Sequence, residues 1–360
     1  MKQYGSVFIK NIYYMLSYAF DTLRQENFED IAKEEFPNIH NVFAAILARG
    51  ISLQLKQGLY REYLDRSDNL AVLRGKIEMK GTIQQIIAHK QKLTCEYDEL
   101  SENNQLNQIL KTTAMILFRH PQVESKYKDA LKKEMLFFSH IDTLEPTTIH
   151  WSTIRFQRNN KTYKMLISVC QLILEGMLMS TEAGVYSLAS FVDDQHMHRL
   201  YEKFILEYYS KEYPSLQVSA AQISWALDDG LGPMLPIMQS DITLSHGNKV
   251  LIIDAKFYAH TTQSLHAAHT IHSNNLYQIF TYVKNKDAAL KETPHEVAGM
   301  LLYARTDESI LPNNSYQMSG NTIMVQTLDL NCDFLIIAGQ LNSIVERFFD
   351  MPASRIVVMN

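Results

Sequence analysis

Apolar residues recur three and four apart in Lys10-Asn-Ile-Tyr-Tyr-Met-Leu-Ser-Tyr-Ala-Phe-Asp-Thr-Leu23, and that spacing predicts a helix that opens the fold. A second helix is predicted from His40 to Gln57, ending near Gly58. The pattern then turns β-like in three pieces: Leu70-Ala-Val-Leu73, Arg74-Gly-Lys-Ile-Glu-Met79 and Leu93-Thr-Cys-Glu-Tyr97. Between the last two, Thr82 to His89 reads as helix. Asn103 to Arg119 places Leu106, Ile109, Leu110, Thr113 and Leu117 on one helical face. Glu124 to Phe138 is predicted helical too, its lysines forming a solvated face.

The turn-rich Leu144-Glu-Pro-Thr-Thr148 marks a break, and a domain boundary is expected between 150 and 165. This gives an N-terminal domain at 1–157 and a second at 158–360. Tyr163 to Met179 reads as a buried helix. Gln195 to Tyr213 is amphipathic, with Met197, Leu200, Tyr201, Phe204, Ile205 and Tyr208 as its stripe. Two strands follow on either side of the turn Ser245-His-Gly-Asn248. A loop rich in His and Thr (259–273), a helix from Ser273 to Lys286 and a strand at Val297 to Tyr303 come next. A strand at Thr322 to Thr327 and a helix near Phe334 to Phe349 close the pattern. The fold class is α/β: a mixed α+β N-terminal domain, then a domain with a central mixed sheet flanked by helices.

Composition narrows the class. Hydrophobic residues make up 46% of the 360, with only 13 Gly and 9 Pro, which describes a globular chain. Cys95, Cys170 and Cys332 lie far apart with no CxxC pair, which argues against zinc and disulfides and predicts a reducing cytoplasm. No apolar run reaches the roughly 18 residues of a membrane span. Residues 1–150 hold 19 of the 34 Lys+Arg and 19 of the 39 Asp+Glu, so the formal −5 belongs wholly to the remainder. Proteins that capture DNA unaided are usually basic. An acidic half around a nuclease-like site implies metal ions that offset local repulsion and another subunit that holds the DNA.

That site is Asp241-Ile-Thr-Leu-Ser-His-Gly-Asn-Lys-Val-Leu-Ile-Ile-Asp-Ala-Lys256. Val250, Ile252, Asp254 and Lys256 share one strand face, and Leu251, Ile253 and Ala255 the other. Apolar residues on both faces mark a central strand covered by helices, with Asp254 and Lys256 at its C-terminal end. An arbitrary DxK is most often a structural ion pair. Here a second acid, Asp241, stands on the neighbouring strand, and a surplus buried carboxylate is costly without a cation. The expected ligands of Mg²⁺ (or Mn²⁺) are Asp241 and Asp254, with the Ala255 carbonyl as a third. Such an ion activates water for phosphodiester hydrolysis, and Lys256 orients that water or meets the charge developing on phosphorus.

Gln278 and Tyr282, four apart on the next helix, share a face and are read as substrate contacts. Glu202 is a candidate for the last metal ligand. For Glu202 and Glu207 alike, solvent exposure is the plainer reading. His260, His266, His269 and His272 are read as substrate-contacting or plain loop residues in preference to a zinc cluster. No Walker loop, GxSxG or HExxH occurs.

Asp241, Asp254-Ala-Lys256 and Gln278-x-x-x-Tyr282 together resemble the PD-(D/E)xK nuclease superfamily, with Ser240 in place of the proline. More closely, the chain resembles the McrC nuclease subunits of McrBC-type modification-dependent restriction systems, almost end to end. The blocks that carry this are Lys10-Asn-Ile-Tyr-Tyr-Met-Leu-Ser-Tyr-Ala-Phe, Arg74-Gly-Lys-Ile, Asp98-Glu-Leu-Ser-Glu-Asn-Asn-Gln-Leu-Asn-Gln-Ile-Leu-Lys111, Leu235-Pro-Ile-Met-Gln-Ser-Asp-Ile242, Ile253-Asp-Ala-Lys-Phe-Tyr258 and Ser273-Asn-Asn-Leu-Tyr-Gln278. The resemblance implies a PD-(D/E)xK endonuclease domain at 158–360 and a partner-docking domain at 1–157. It implies an McrB-like AAA+ ring that uses the GTP and is stimulated by this chain. It further implies double-stranded DNA carrying modified cytosine, and a homodimer through the nuclease domain. Two other readings stay open: a non-catalytic adaptor and GTPase activator on a relic nuclease fold, and a stand-alone repair or recombination nuclease.

Overall fold

The computed structural model describes residues 3–4, 7–20, 23, 28–156, 160–178, 194–230, 232–257, 262–265, 268–305 and 311–352. The contacts divide the chain into two compact units, one of residues 1–42 with 179–360, the other of 43–178. The boundary expected at 157/158 falls outside the described residues, and the contacts divide elsewhere. The first helix belongs with the C-terminal half, and the helix before residue 178 belongs with the inserted unit.

In chain order, the first unit opens with β1 (Gln3–Tyr4), β2 (Val7–Phe8), α1 (Ile9–Ala19) and α2 (Glu29–Lys33). Helix α3 (Ile39–Gln57) leads into the second unit. There follow β3 (Glu62–Leu70), β4 (Lys76–Ile77), α4 (Met79–Ile87) and β5 (Leu93–Ser101). Helices α5 (Gln105–Arg119), α6 (Ser125–Met135) and α7 (Lys161–Leu178) complete it. Strands β3, β5 and β4 form an antiparallel sheet in that order, β3 and β5 pairing from Glu62↔Ser101 to Leu70↔Leu93.

The second unit's core comes from the apolar faces of α3, α5 and α7, among them Phe43, Leu47, Ile51, Ile109, Leu110, Leu117, Leu166, Val169 and Ile173. At Gly50 α3 comes so close to α7 that a Cβ would stand 2.3 Å from Leu166 Cδ2. The nine-residue β3 departs from the sequence expectation, which placed a strand at Leu70–Leu73 and none before it. Nearly all of β3 is exposed, so no alternation of apolar and polar residues marks it.

The first unit resumes with α8 (Asp194–Glu212), β6 (Gln217–Ser219), β7 (Gln222–Ile223) and β8 (Met238–Gln239). Strands β9 (Ile242–His246) and β10 (Lys249–Lys256) form the expected hairpin. Residue His246 opposes Lys249, so the turn itself is only Gly247 and Asn248, with Gly247 at φ 57°. Where a plain loop was expected, β11 (Thr262–Leu265) pairs with β12 (Ala268–Ile271). Helix α9 (Ser273–Ala289), β13 (Glu296–Ala304), β14 (Asn314–Met318), β15 (Asn321–Leu328) and α10 (Phe334–Phe349) follow.

A six-stranded mixed sheet in the order β14-β15-β13-β10-β9-β6 is the backbone of this unit. Strands β10, β13 and β15 are parallel, and the others antiparallel to their neighbours. Helix α9 links β10 to β13 and covers one sheet face, burying Val250, Ile252, Leu301, Tyr303, Ile323 and Val325 with its Ile279, Tyr282 and Val283. Gly299 on β13 permits this approach, since a Cβ there would lie 2.7 Å from Ile279 and Val283.

The opposite face is packed by α8 and α10 through a tyrosine layer. Tyr201 donates to the Leu302 carbonyl at 3.4 Å, Tyr208 and Tyr213 to Asn342 Oδ1 at 2.8 and 2.9 Å, and Tyr209 to the Leu341 carbonyl at 3.0 Å. A mixed sheet with helices on both faces is the α/β class expected. Among the described residues no helix is long and apolar enough to cross a membrane.

Candidate active site

Strand β10 is buried along almost its whole length because it runs through the middle of the sheet. Its last turn of sequence replaces apolar residues with Asp254 and Lys256, and both remain buried, at 0% and 7% exposure. They project on the face covered by α9. Strand β9 runs antiparallel beside it, with Ile242 opposite Ile253. One step past that pair, Asp241 meets the level of Asp254. The hairpin therefore brings together at one strand end the three residues that the sequence set 13 and 15 positions apart.

The polar contacts are short and directional. Lys256 Nζ lies 3.0 Å from Asp254 Oδ1 and 2.9 Å from Oδ2. Only the first is an aligned hydrogen bond, so Oδ2 sits fully buried in the ion pair with a lone pair unused. The Ala255 amide donates to Asp241 Oδ2 at 2.9 Å. The electrostatics show a shortage of positive charge. Burial, then repulsion from Asp254 and Glu202, pushes the Asp241 carboxyl up to about 7 despite Lys256. Burial also raises the Asp254 carboxyl, against the attraction of Lys256 and His198.

Two acids, Asp254 buried and Asp241 half-buried, stand against one ammonium, and a hard divalent cation offsets such a surplus of acid. Among the described residues no group of three or more His, Cys, Asp or Glu side chains is arranged to hold a metal. The carboxylates that meet at this strand end are those of Asp241 and Asp254. That fits Mg²⁺, which is commonly held by one or two carboxylates and keeps several waters.

Helix α8 contributes the next layer. Glu202 accepts from His198 Nδ1 at 2.7 Å, one helical turn away, and is close enough to raise the Asp241 carboxyl. Glu207 instead faces Lys211 at 3.6 Å. Gln278 Nε2 donates to the Tyr282 hydroxyl at 2.9 Å, so this pair is brought together as its spacing foretold. It stands on α9, over the sheet face that carries Asp254 and Lys256.

Two neighbours escaped the sequence reading. Tyr303 is the register partner of Lys256 on β13, fully buried, its hydroxyl accepting from Asn275 Nδ2 at 2.9 Å. Only the parallel pairing of β10 with β13 reveals it. His198 escaped as well, although its place four residues before Glu202 was a usable signal. His260, His266 and the side chain of His269 lie outside the described residues. His272 precedes α9.

The family described as "McrBC 5-methylcytosine restriction system component" matches residues 7–304. The chain is 28% identical over 347 residues to the "Type IV methyl-directed restriction enzyme EcoKMcrBC" of Escherichia coli (strain K12), covering 94% of this chain and 97% of that one. Among solved structures, it is similar to a chain of the Thermococcus gammatolerans assembly of McrB AAA+ hexamers with bound McrC. That likeness has 20% identity and a TM-score of 0.49, over 88% of this chain and 69% of the other. A second structure, the McrBC complex of the same organism, gives 22% identity and a TM-score of 0.41, over 57% and 59% of the two chains.

Proposed function

The chain belongs to the family of McrBC 5-methylcytosine restriction system components, and on that premise we propose that it is the subunit that cuts DNA. The observation that carries this reading is the meeting of Asp241, Asp254 and Lys256 at one shared strand end, Asp254 and Lys256 buried and the Asp241 carboxyl pushed up to about 7 by its surroundings. A structural ion pair needs one acid and one base; the second acid calls for a cation. The domain of residues 179–360 is read as a PD-(D/E)xK endonuclease fold, and the reaction as hydrolysis of a phosphodiester.

Asp241 and Asp254 would hold Mg²⁺ or Mn²⁺. When bound, the ion supplies the Lewis acidity that activates water and offsets charge on the phosphate. The chain's own residues then do the rest. The Ala255 amide fixes the Asp241 carboxylate by donating to its Oδ2. Asp254 holds the Lys256 ammonium within 3.0 Å, which aims a fixed positive charge at the reacting phosphate and orients the attacking water. Tyr303 and the sheet around it exclude bulk water from the lysine stem. Gln278 reaches the DNA backbone from α9, with the largely buried Tyr282 offering only its hydroxyl, which accepts from Gln278.

An McrB-like AAA+ GTPase ring is the partner: it binds DNA carrying modified cytosine and uses the GTP, while this chain docks on it and stimulates hydrolysis. The acidic balance of residues 151–360 supports a division of labour in which another subunit holds the DNA. The test uses the assembled complex. Asp254→Asn and Lys256→Ala should each lower DNA cleavage by roughly 10²-fold or more, while stimulation of GTP hydrolysis stays at the unsubstituted level. Cleavage at the unsubstituted rate by Asp254→Asn would overturn the assignment.

A further inference from the structure

Helix α8 packs against β9 and β10, the two strands whose ends bring Asp241 and Asp254 together. Its Met197, Leu200, Tyr201 and Phe204 are buried, which fixes this stretch of helix in place. His198 and Glu202 stand one turn apart at the margin of that packed face, their side chains 21% and 29% exposed. His198 Nδ1 lies 2.7 Å from Glu202 Oε1. Glu202 is near enough to repel the Asp241 carboxyl, and His198 near enough to attract that of Asp254. A pair that only stabilises the helix is the plain account, and it fits poorly. The base precedes the acid, the weaker order against the helix dipole. The arrangement also brings a third carboxylate toward two acids that already repel each other, at a cost to Asp241. Without its bond to His198, the Glu202 carboxylate would turn from them into water, as repulsion favours.

Three carboxylates held near one another have a use for a cation. Asp254 Oδ2 points the same way, since it is fully buried and makes no hydrogen bond although Lys256 is beside it. Glu202 is nevertheless not placed as a third ligand: among the described residues no three His, Cys, Asp or Glu side chains are arranged to hold a metal. A carboxylate outside the ligand set still serves such an ion, because Mg²⁺ keeps several waters, whose protons need acceptors. Outer partners of this kind tune affinity for the metal. We infer that His198 is a positioning residue: it holds the Glu202 carboxylate toward Asp241 and Asp254, where Glu202 accepts hydrogen bonds from the water shell of the divalent ion. This deepens the proposed function and rests on it.

The test measures Mn²⁺ binding by the full chain without DNA, counting the free ion by electron paramagnetic resonance. His198→Ala should weaken binding about tenfold, as the loss of an outer partner does. His198→Asn, whose amide donates from the place of Nδ1, should restore most of it. Glu202→Gln should weaken binding as much as His198→Ala, and the two together no more than Glu202→Gln alone, because His198 acts through Glu202. Water-proton relaxation should count as many waters on Mn²⁺ bound to Glu202→Gln as on Mn²⁺ bound to the unsubstituted chain. Unchanged affinity in His198→Ala would overturn the inference, and so would additive losses in the double variant. One extra water in Glu202→Gln would overturn it too, by making Glu202 a direct ligand. Should His198→Ala melt early in EDTA, His198→Asn against Glu202→Gln decides: near-normal affinity in the first with a tenfold loss in the second supports the inference, and equal affinities sink it. Normal binding by the His198 and Glu202 variants, with none by Asp254→Asn, would remove this inference and leave the nuclease reading standing. No binding by the unsubstituted chain would remove both.

Discussion

The Asp241 carboxyl is out of place in water-poor surroundings unless something positive joins it. Its affinity for a proton, raised to about 7 by burial and by Asp254 and Glu202, makes the metal-free protein sensitive to pH. A carboxyl whose pKa is higher folded than unfolded contributes stability below the unfolded value, near 3.8. That contribution fades as pH rises through the folded value, at about 1.4 kcal/mol per pH unit. Asp241→Asn should therefore raise the Tm of metal-free protein by several degrees at pH 8 and leave it unchanged near pH 4. Added Mg²⁺ should close the gap by stabilising the unsubstituted protein alone. A pH-independent difference in calorimetry would show that Asp241 is not electrostatically strained.

Gly75 makes a second residue-scale case. It holds φ at 68°, and a Cβ there would stand 2.3 Å from the Glu96 carbonyl. Arg74 beside it stacks 3.9 Å over Tyr97. Gly75→Ala should destabilise the second unit by roughly 1–3 kcal/mol in urea titration. Arg-Gly-Lys-Ile was thus visible as a string, but its reason, a turn pressed against β5, was not.

At the scale of elements, the block Asp98 to Lys111 resolves into a buried amide lock. Asn104 caps α5 by accepting from the Asn107 amide at 3.3 Å, and its own Nδ2 donates to the Tyr60 carbonyl at 2.8 Å. Asn107 donates to the carbonyls of Tyr60 and Glu102 at 2.9 and 2.8 Å and accepts from the Tyr163 hydroxyl at 2.8 Å. Tyr163 in turn accepts from the Tyr60 amide at 2.8 Å. Asn107→Ala leaves the Tyr163 hydroxyl proton without its acceptor and takes one of two donors from each of the Tyr60 and Glu102 carbonyls, a loss of about 1–3 kcal/mol in all. Denaturant unfolding should show a drop of at least that size, with no change in the active-site residues.

Helices α5, α8 and α10 were legible from their stripes, and β10 from its unbroken apolar run. Strand β3 was not, because polar residues occupy both its faces and its pairing with β5 is read only in three dimensions. The same limit hid Tyr303, whose closeness to Lys256 is a matter of strand order. The closeness of Asp241, Asp254 and Lys256 was legible because a hairpin's register follows from its turn.

Across the whole molecule, the sequence suggested two consecutive domains, and the contacts show one unit interrupted by another. Local patterning reports periodicity within an element and carries no information about which distant element it packs on. Helix α1 looks like the start of an N-terminal domain, yet Asn11 donates to the carbonyls of Leu330 and Cys332 at 2.8 Å each, and Tyr18 to Glu212 Oε1 at 2.8 Å. Residues 43–178 should therefore be the piece that folds when expressed alone. A fragment of 158–360 should be unstable until α1 is supplied as a peptide, as circular dichroism on mixing would show. A well-folded 158–360 fragment would contradict this division.

Asn11 and its carbonyl partners also set an order of events in time. At some 5–20 residues per second, the ribosome takes on the order of tens of seconds to pass from Asn11 to Cys332. Until then the Asn11 amide lacks the two carbonyls to which it donates in the finished unit. A nascent or truncated chain therefore carries the acid pair on an unfinished unit. On the role proposed above, cutting would begin only once β15 and α10 have closed the unit that carries Asp241 and Asp254.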